Sequence, residues 1–122
     1  MHKNSNLISS FQHAIDGIKL ALAHERNMGL HFAIACLTIV ISLFLKLTAI
    51  EFSLIILCIG LVIVAEMLNT AIEKTVDLIS LEKRPESKFI KDVSAAAVLI
   101  ASIVAAVVGA MVIIPKILLY IV

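Results

Sequence analysis

Charge, aromatic side chains and glycine are all scarce in this sequence of 122 residues. Charged residues make up 16% and hydrophobic residues 61%, whereas a soluble domain carries about 25% and about 45–50% respectively. There is no Trp, and the formal net charge of +1 provides no positive field to attract a polyanion. This composition excludes an ordinary soluble globule, a disordered chain and a nucleic-acid-binding protein. The length indicates a single domain over residues 1–122, and lipid is its expected solvent.

The few cysteines and glycines exclude further kinds of site. Cys36 and Cys58 both lie in apolar runs, with no Cys-x-x-Cys motif and no Cys/His ligand spacing. We therefore expect two small buried thiols rather than a disulfide framework or a zinc site. The four glycines form neither Gly-x-x-x-x-Gly-Lys nor Gly-x-Gly-x-x-Gly. The standard glycine cradle for phosphate groups is therefore excluded.

Three long apolar stretches dominate what is present. A membrane-spanning helix needs about 20 mostly apolar residues, so we predict spans over about 30–46, 50–70 and 93–114. The second helix is expected to continue to about Ile79 with a polar lower half. A very short segment separates the first two spans, which predicts a tight antiparallel hairpin. The predicted fold class is an all-α membrane protein with three transmembrane helices.

The N-terminal segment has the pattern of an amphipathic helix over about residues 5–24. No apolar run there is long enough for a cleavable signal peptide, and Asn4, Ser5 or Asn6 can cap the helix. We expect this helix to lie along the membrane surface, the alternative being packing against other protein. Its apolar positions, three and four residues apart, are Ile8, Phe11, Ile15, Ile18 and Leu22.

The basic residues predict the orientation in the membrane. Three spans place the N-terminus and the polar loop over about 79–91 on the same side, with Lys46 and Lys116 on the other. Cytoplasmic segments carry the excess of Lys and Arg, so the N-terminus is predicted to be cytoplasmic and the C-terminus outside. The eight basic residues on the predicted cytoplasmic side are Lys3, Lys19, Arg26, Lys74, Lys83, Arg84, Lys88 and Lys91.

A polar stripe follows the apolar half of the second span. Glu66, Asn69, Glu73 and Asp77 share one helical face, and Thr70 lies close to it. An ionisable residue at the membrane boundary is a functional candidate because it is costly to bury there. Aligned carboxylates repel one another, so a cation or a basic partner is implied, and oxygen ligands of this kind suit Mg²⁺. The alternative is a solvated helix end, above all for Asp77.

Other polar residues stand at the ends of the remaining spans. Glu25 precedes the first span, and Lys91 and Asp92 precede the third. The ends of all three spans therefore bring acids and bases to one boundary. In the third span, small residues at four-residue spacing allow close helix approach, within one subunit or between subunits. These residues are Ala97, Ala101, Ala105 and Gly109.

At these residues the chain resembles the small prokaryotic diacylglycerol kinase/undecaprenol kinase family. The matching motifs are EMLNTAIEKTVDL and, after a short loop, KDVSAAAVLIA, and the resemblance covers nearly the whole chain. It implies a homotrimer in the bacterial inner or plasma membrane. It also implies transfer of the γ-phosphoryl group of MgATP to the hydroxyl of a membrane lipid, with the active site on the cytoplasmic side.

The resemblance also implies roles for individual residues. Glu66 matches the general base, and Glu25 and Glu73 match the acids that hold the metal–nucleotide complex. Asn69 and Asp77 match residues that line the same site. The remaining candidates are Thr70 as a site-lining residue and His13, Glu82, Arg84, Lys91 and Asp92 as ATP contacts, besides Glu25, Glu73 and Asp77.

Two departures from the family pattern bear on the substrate. Ala95 removes a hydroxyl that some members direct at the lipid, and the loop carries Arg84 where others carry His. Glu25-x-Asn27, His31 and Pro85 are closer to the undecaprenol branch. Undecaprenol is therefore the first candidate acceptor and diacylglycerol the alternative.

Two other functions remain open from the residues. The stripe of Glu66 to Glu73 is compatible with an ion or proton path in a small transporter, although a path would need polar groups across the full membrane depth. The third hypothesis is a structural subunit of another membrane complex. It does not explain why the acidic residues share one helical face.

Overall fold

The computed structural model describes residues 6–122 as helices joined by short connections, with no strand in that range. Three of the helices are long and apolar enough to span a membrane, which confirms the predicted all-α class with three spans. Asn4 and Ser5, two of the three predicted capping residues, lie outside the described residues, as does Lys3. The helices are α1 (Leu7–His24), α2 (Arg26–Phe44), α3 (Ala49–Ile79) and α4 (Pro85–Ile121).

The N-terminal helix α1 is amphipathic, as predicted. Asn6 is its N-cap, and the Asn6 side chain accepts a 2.8 Å hydrogen bond from the backbone N–H of Ser9. No residue of α1 is buried, and apolar residues such as Phe11 are exposed on this chain. The apolar face of α1 is therefore open to a bilayer or to another subunit.

The connection between α2 and α3 forms the predicted tight hairpin. Lys46 takes a left-handed backbone (φ 54°), and the N–H of Leu47 reaches back to the carbonyl of Ser42 at 3.3 Å. This is the usual way to satisfy the last carbonyls of a helix. Thr48 then starts α3 with a capping box, exchanging hydrogen bonds with Glu51.

The start of α4 corrects the predicted loop over 79–91, because the connection is only residues 80–84. Pro85 is the first residue of the helix, where its missing N–H would have no partner and its fixed φ suits the helix. Glu86 in the first turn also interacts favourably with the positive end of the helix dipole. Lys91 and Asp92 therefore lie within a helix.

The three spanning helices are also longer than the apolar stretches alone predict. The first span begins at Arg26, and α4 continues through Pro115 to Ile121. An interior proline removes one backbone hydrogen bond, but in an apolar segment the remaining backbone groups still favour helix because no other partner is at hand.

The packing of the helices centres on α3. It pairs most extensively with α4 and less with α2, while α1 contacts α2. The buried apolar side chains are few: Met28, Ala35, Leu45, Ile55, Val76 and Ala101. The prediction of two buried thiols is wrong, because Cys36 is exposed and Cys58 is half-buried: apolar runs in this chain face outward as well as inward. Of the small-residue stripe on α4 only Ala101 is buried, and a Cβ added at Gly109 would meet nothing within 4 Å. The stripe is thus only partly used inside one chain.

Candidate active site

Glu66 is the most deeply buried carboxylate among residues 6–122, with 4% of the residue exposed. It faces α2, where the Nε2 atom of His31 lies 3.5 Å from its Oε2 atom. No other ion pair or hydrogen bond among the described side chains involves Glu66. A buried carboxylate needs a compensating partner, and the imidazole is the one that this fold provides.

Asn69, which lies one helical turn after Glu66 on α3, connects α3 to α4. Its Oδ1 accepts a hydrogen bond from the hydroxyl of Ser94, and its Nδ2 donates to Glu73 Oε1 at 3.4 Å. Asn69 and Ser94 are both buried. The hydroxyl of Ser94 determines which side of the Asn69 amide faces Glu73, so a residue of α4 orients a carboxylate of α3.

Asp77 and Lys91 form the next contact along the same face. The ammonium of Lys91 donates to Asp77 Oδ1 at 2.7 Å, joining the end of α3 to the beginning of α4. Asp92 pairs instead with Lys88 on the same helix. Successive residues of a helix point in different directions, so Lys91 reaches across to α3 while Asp92 finds its partner on α4 itself.

Glu25 occupies the single position between α1 and α2, where its backbone is extended. Its carboxylate lies 3.7 Å from the ammonium of Lys74 on α3. Both residues line a cavity of about 350 Å³ between α1 and α3, together with Thr70. The bend between α1 and α2 thus directs Glu25 toward α3, on the flank of the polar stripe.

A larger cleft of about 600 Å³ opens where α3 ends and α4 begins. Glu82 and Arg84 lie in its wall and pair with each other at 3.1 Å. The cleft combines four cations with three carboxylates, and its size is within the usual range for ligand sites. Its charged lining residues are Asp77, Glu82, Lys83, Arg84, Lys88, Lys91 and Asp92.

The structure brings most of the sequence-predicted residues to one end of the helical bundle. His13 lies on α1, where its Nε2 is 3.5 Å from Ser9 Oγ. The aligned carboxylates of the polar stripe implied a cation or a basic partner. In the structure, His31 contacts Glu66 and Lys91 contacts Asp77. Sequence reasoning missed the contacts of His31 and Ser94, since each depends on how two helices are rotated against each other.

The residues implied to hold Mg²⁺ are chemically suited to it. Glu25 and Glu73 offer only oxygen donors, which Mg²⁺ prefers, and neither is fully buried. Within residues 6–122 there is no group of three His, Cys, Asp or Glu side chains able to hold a metal. That is compatible with a site of one or two carboxylates that shares its ion with substrate phosphates, the usual arrangement for Mg²⁺.

Comparisons with known proteins identify the family of this chain. A family model described as prokaryotic diacylglycerol kinase matches residues 12–113. Undecaprenol kinase from Bacillus subtilis is 38% identical over 117 residues, which cover 94% of this chain and 95% of that protein. A diacylglycerol kinase from Synechocystis is 38% identical over 114 residues, covering 93% of this chain and 65% of that longer protein.

A diacylglycerol kinase from Haemophilus influenzae is 36% identical over 97 residues, covering 80% of this chain and 82% of that protein. The match to the family model includes the polar stripe, the cleft, all of α2 and α3, and α4 as far as residue 113. The chain therefore belongs to the prokaryotic diacylglycerol kinase family.

Proposed function

We propose that this chain is a lipid kinase that transfers the γ-phosphoryl group of ATP to the hydroxyl of a membrane lipid. The observation that carries the proposal is the buried carboxylate of Glu66, where the apolar part of α3 meets the polar stripe that leads along the helix to the charged cleft. A lipid hydroxyl and a water-soluble phosphate donor can meet only at such a boundary. The names of the relatives support the same reaction class.

In the proposed reaction the lipid hydroxyl oxygen bonds to the γ-phosphorus while the bond from that phosphorus to the β-phosphate oxygen breaks. Glu66 accepts the hydroxyl proton, and ADP leaves. Little covalent chemistry falls to the protein in phosphoryl transfer, so positioning and charge neutralisation dominate. Lys91 and the cations of the cleft supply positive charge, and Asn69 keeps the Glu73 carboxylate oriented.

Mg²⁺ is the proposed cofactor, with Glu25 and Glu73 as its protein ligands. When bound, it would neutralise charge on the phosphate oxygens of ATP. The ATP contacts proposed for His13, Glu82, Arg84 and Asp92 follow from the same family resemblance.

Undecaprenol is the first proposed acceptor and diacylglycerol the second. The support is the 95% coverage of the Bacillus subtilis undecaprenol kinase, against shorter matches to the diacylglycerol kinases. Both alcohols present a hydroxyl at the interface, so the chemistry of Glu66 alone does not choose between them.

The proposed setting is the bacterial inner or plasma membrane, with the N-terminus and active site cytoplasmic and the C-terminus outside. The excess of Lys and Arg on one side of the spans supports this orientation. We also propose a homotrimer, because three spans enclose little space and leave apolar side chains exposed along α1 and α4.

The test is ATP-dependent phosphorylation of undecaprenol and of diacylglycerol by purified protein in detergent. Glu66→Gln should lower kcat for either lipid by about 10²–10⁴-fold and leave a residual rate that can be measured. Glu51→Gln, an acid at the other end of α3, is the matched control and should remain fully active. Normal turnover by the correctly folded Glu66→Gln variant would contradict the role of the base. Faster phosphorylation of diacylglycerol would reverse the order of acceptors.

A flux assay in liposomes without ATP separates this proposal from a transporter. In the outer halves of the spans, the hydroxyls of Ser42 and Thr38 donate to backbone carbonyls of α2 at 2.7 and 2.8 Å. They are therefore already engaged within their own helix. We expect no ion or proton flux, and flux without lipid phosphorylation would favour the transporter.

A further inference from the structure

We propose that His31 is a positioning residue for Glu66: its imidazole holds one carboxylate oxygen so that the other can receive the proton of the acceptor hydroxyl. This inference rests on the proposed lipid kinase function and deepens it. It adds a residue of the first span to a site otherwise built from the second and third spans and the bend at Glu25.

The contact involves only one of the two carboxylate oxygens of Glu66. Nε2 of His31 lies 3.5 Å from Oε2, and no hydrogen bond or ion pair among residues 6–122 involves Oε1. The side chains of His31 and Glu66 are 18% and 5% exposed. At 3.5 Å the contact is an ion-pair contact longer than a hydrogen bond, so it favours one orientation of the carboxylate and shortens when the site closes on its substrates. The second oxygen remains available as a proton acceptor.

The surroundings of His31 make this contact hard to replace by water. The ring also borders an apolar cavity of about 330 Å³, whose other lining residues include Ile34, Ile55 and Cys58. In such surroundings a polar contact is stronger than in water, and loss of one partner is more costly to the other. Removal of the imidazole would leave the buried Glu66 carboxylate free to turn away from the acceptor.

A purely structural role for His31 is the competing explanation. The packing of α2 against the rest of the protein is, however, already supplied by two buried side chains of α2, Met28 and Ala35, which lie on either side of His31 along the helix. The half-buried imidazole adds little to that packing. Its distinctive feature is the contact with Glu66, and a positioning role changes kcat while a packing role changes stability.

The test compares His31→Ala, His31→Gln and Thr38→Val by steady-state kinetics and thermal unfolding in detergent. We expect kcat of His31→Ala to fall about 10–100-fold, as for other residues that orient a reacting group, with the KM for ATP unchanged. His31→Gln retains an N–H donor and should recover part of the rate. Thr38→Val borders the same cavity on α2 without touching Glu66, and should keep the wild-type kcat.

A double variant makes the test specific to Glu66. If His31 acts through Glu66, His31→Ala should cause no further loss in a Glu66→Gln background, because coupled residues are not additive. An undiminished further loss would overturn the proposal, as would wild-type kcat in both His31 variants. If His31→Ala unfolds, His31→Gln alone and His31→Gln combined with Glu66→Gln replace it in the same comparison.

Infrared spectroscopy distinguishes failure of this inference from failure of the lipid kinase proposal. The carboxylate band of Glu66, assigned by its loss in Glu66→Gln, should shift in His31→Ala and shift less in His31→Gln. A wild-type protein that phosphorylates no lipid would contradict the proposed function. An active wild-type protein with an unshifted band in His31→Ala would contradict the positioning role alone.

Discussion

At the scale of single residues, the candidate site depends on polar side chains that are buried and that find partners on other helices. Glu66 contacts His31 of α2, and Asn69 accepts a hydrogen bond from Ser94 of α4. A polar group removed from water is unfavourable unless a partner replaces the water. These pairs therefore specify how the helices are rotated as well as how the site is built.

Substitution of Ser94 tests the hydrogen bond between Ser94 and Asn69. Ser94→Ala leaves the buried Oδ1 of Asn69 without its donor, which costs about 1–3 kcal/mol. If about 1.4 kcal/mol of this cost is added to the activation free energy of phosphoryl transfer, kcat falls about tenfold. Asn69 would also lose its fixed orientation toward Glu73, so the measurement is kcat together with the Mg²⁺ concentration needed for half-maximal rate.

Ser53→Ala is the control for that substitution. The hydroxyl of Ser53 donates to the carbonyl of Ile50 near the other end of α3, away from the polar stripe. It should keep the wild-type rate and Mg²⁺ response. If Ser94→Ala behaves like Ser53→Ala, then Ser94 does not orient the amide.

At the scale of helices, α3 and α4 are joined by an ion pair near each end of their contact. Lys91 pairs with Asp77 beside the cleft, and Lys116 pairs with Glu51 at 3.3 Å near the beginning of α3. Both pairs are partly exposed, so each is expected to contribute at most about 1 kcal/mol to stability. The two pairs thus have similar structural roles, but only one borders the proposed nucleotide site.

The similarity of these two ion pairs allows a matched comparison. We expect Lys91→Met to raise the KM for ATP about tenfold or more, because it removes a cation from the cleft. Lys116→Met removes an equivalent interhelical pair and should leave that KM unchanged. Titration of activity against ATP in both variants is the measurement, with thermal unfolding as a check. Equal effects on KM would show that Lys91 matters only for helix pairing.

The small residues of α4 allow a second prediction at this scale. Ala101 is buried against its neighbours with 4% exposed, whereas Ala97 is exposed on this chain. Ala101→Leu should overpack the subunit and lower its free energy of unfolding by about 1–3 kcal/mol. Ala97→Leu should leave the unfolding of the subunit unchanged.

Unfolding in detergent, followed by circular dichroism, measures these effects, and the mass of the complex reports on assembly. A fall in the number of associated chains for Ala97→Leu would place the exposed part of the stripe at a subunit interface. Greater loss of subunit stability in Ala97→Leu than in Ala101→Leu would contradict the burial pattern.

At the scale of the whole molecule, the chain has little apolar core and a largely apolar exterior. Large apolar side chains remain exposed on every helix, such as Phe11, Phe44, Leu57 and Leu119. In a bilayer this exterior faces lipid tails or other subunits, while the charged cleft and the polar stripe gather at one end of the bundle. The arrangement is polarised, so orientation in the membrane decides which compartment would supply the proposed nucleotide.

Single cysteines test that orientation in vesicles. In a background of Cys36→Ala and Cys58→Ala, Lys83→Cys should react with an impermeant maleimide only in inside-out vesicles. Val122→Cys should react only in right-side-out vesicles, because three spans place the two ends of α4 on opposite sides. Labelling in the reverse pattern would show that the basic segments face outside and that the proposed cytoplasmic active site is wrong.

The sequence by itself determined the class of this protein, the three spans, the amphipathic α1 and the acidic face of α3. These are local properties, since hydropathy over about 20 residues and periodicity along one helix do not depend on the rest of the fold. The start of α4 at Pro85 was missed, because the polar composition of residues 80–91 hid a helix whose first turn is favoured by Pro85 and Glu86.

Only the tertiary structure decided which partners the polar residues meet. It paired Glu66 with His31, and it directed Lys91 to Asp77 while Asp92 turned to Lys88 on its own helix. Such contacts depend on the rotation and crossing of two helices, and a change of one residue along a helix turns a side chain by about 100°. The pattern along one helix therefore identifies a polar face, and packing determines what that face contacts.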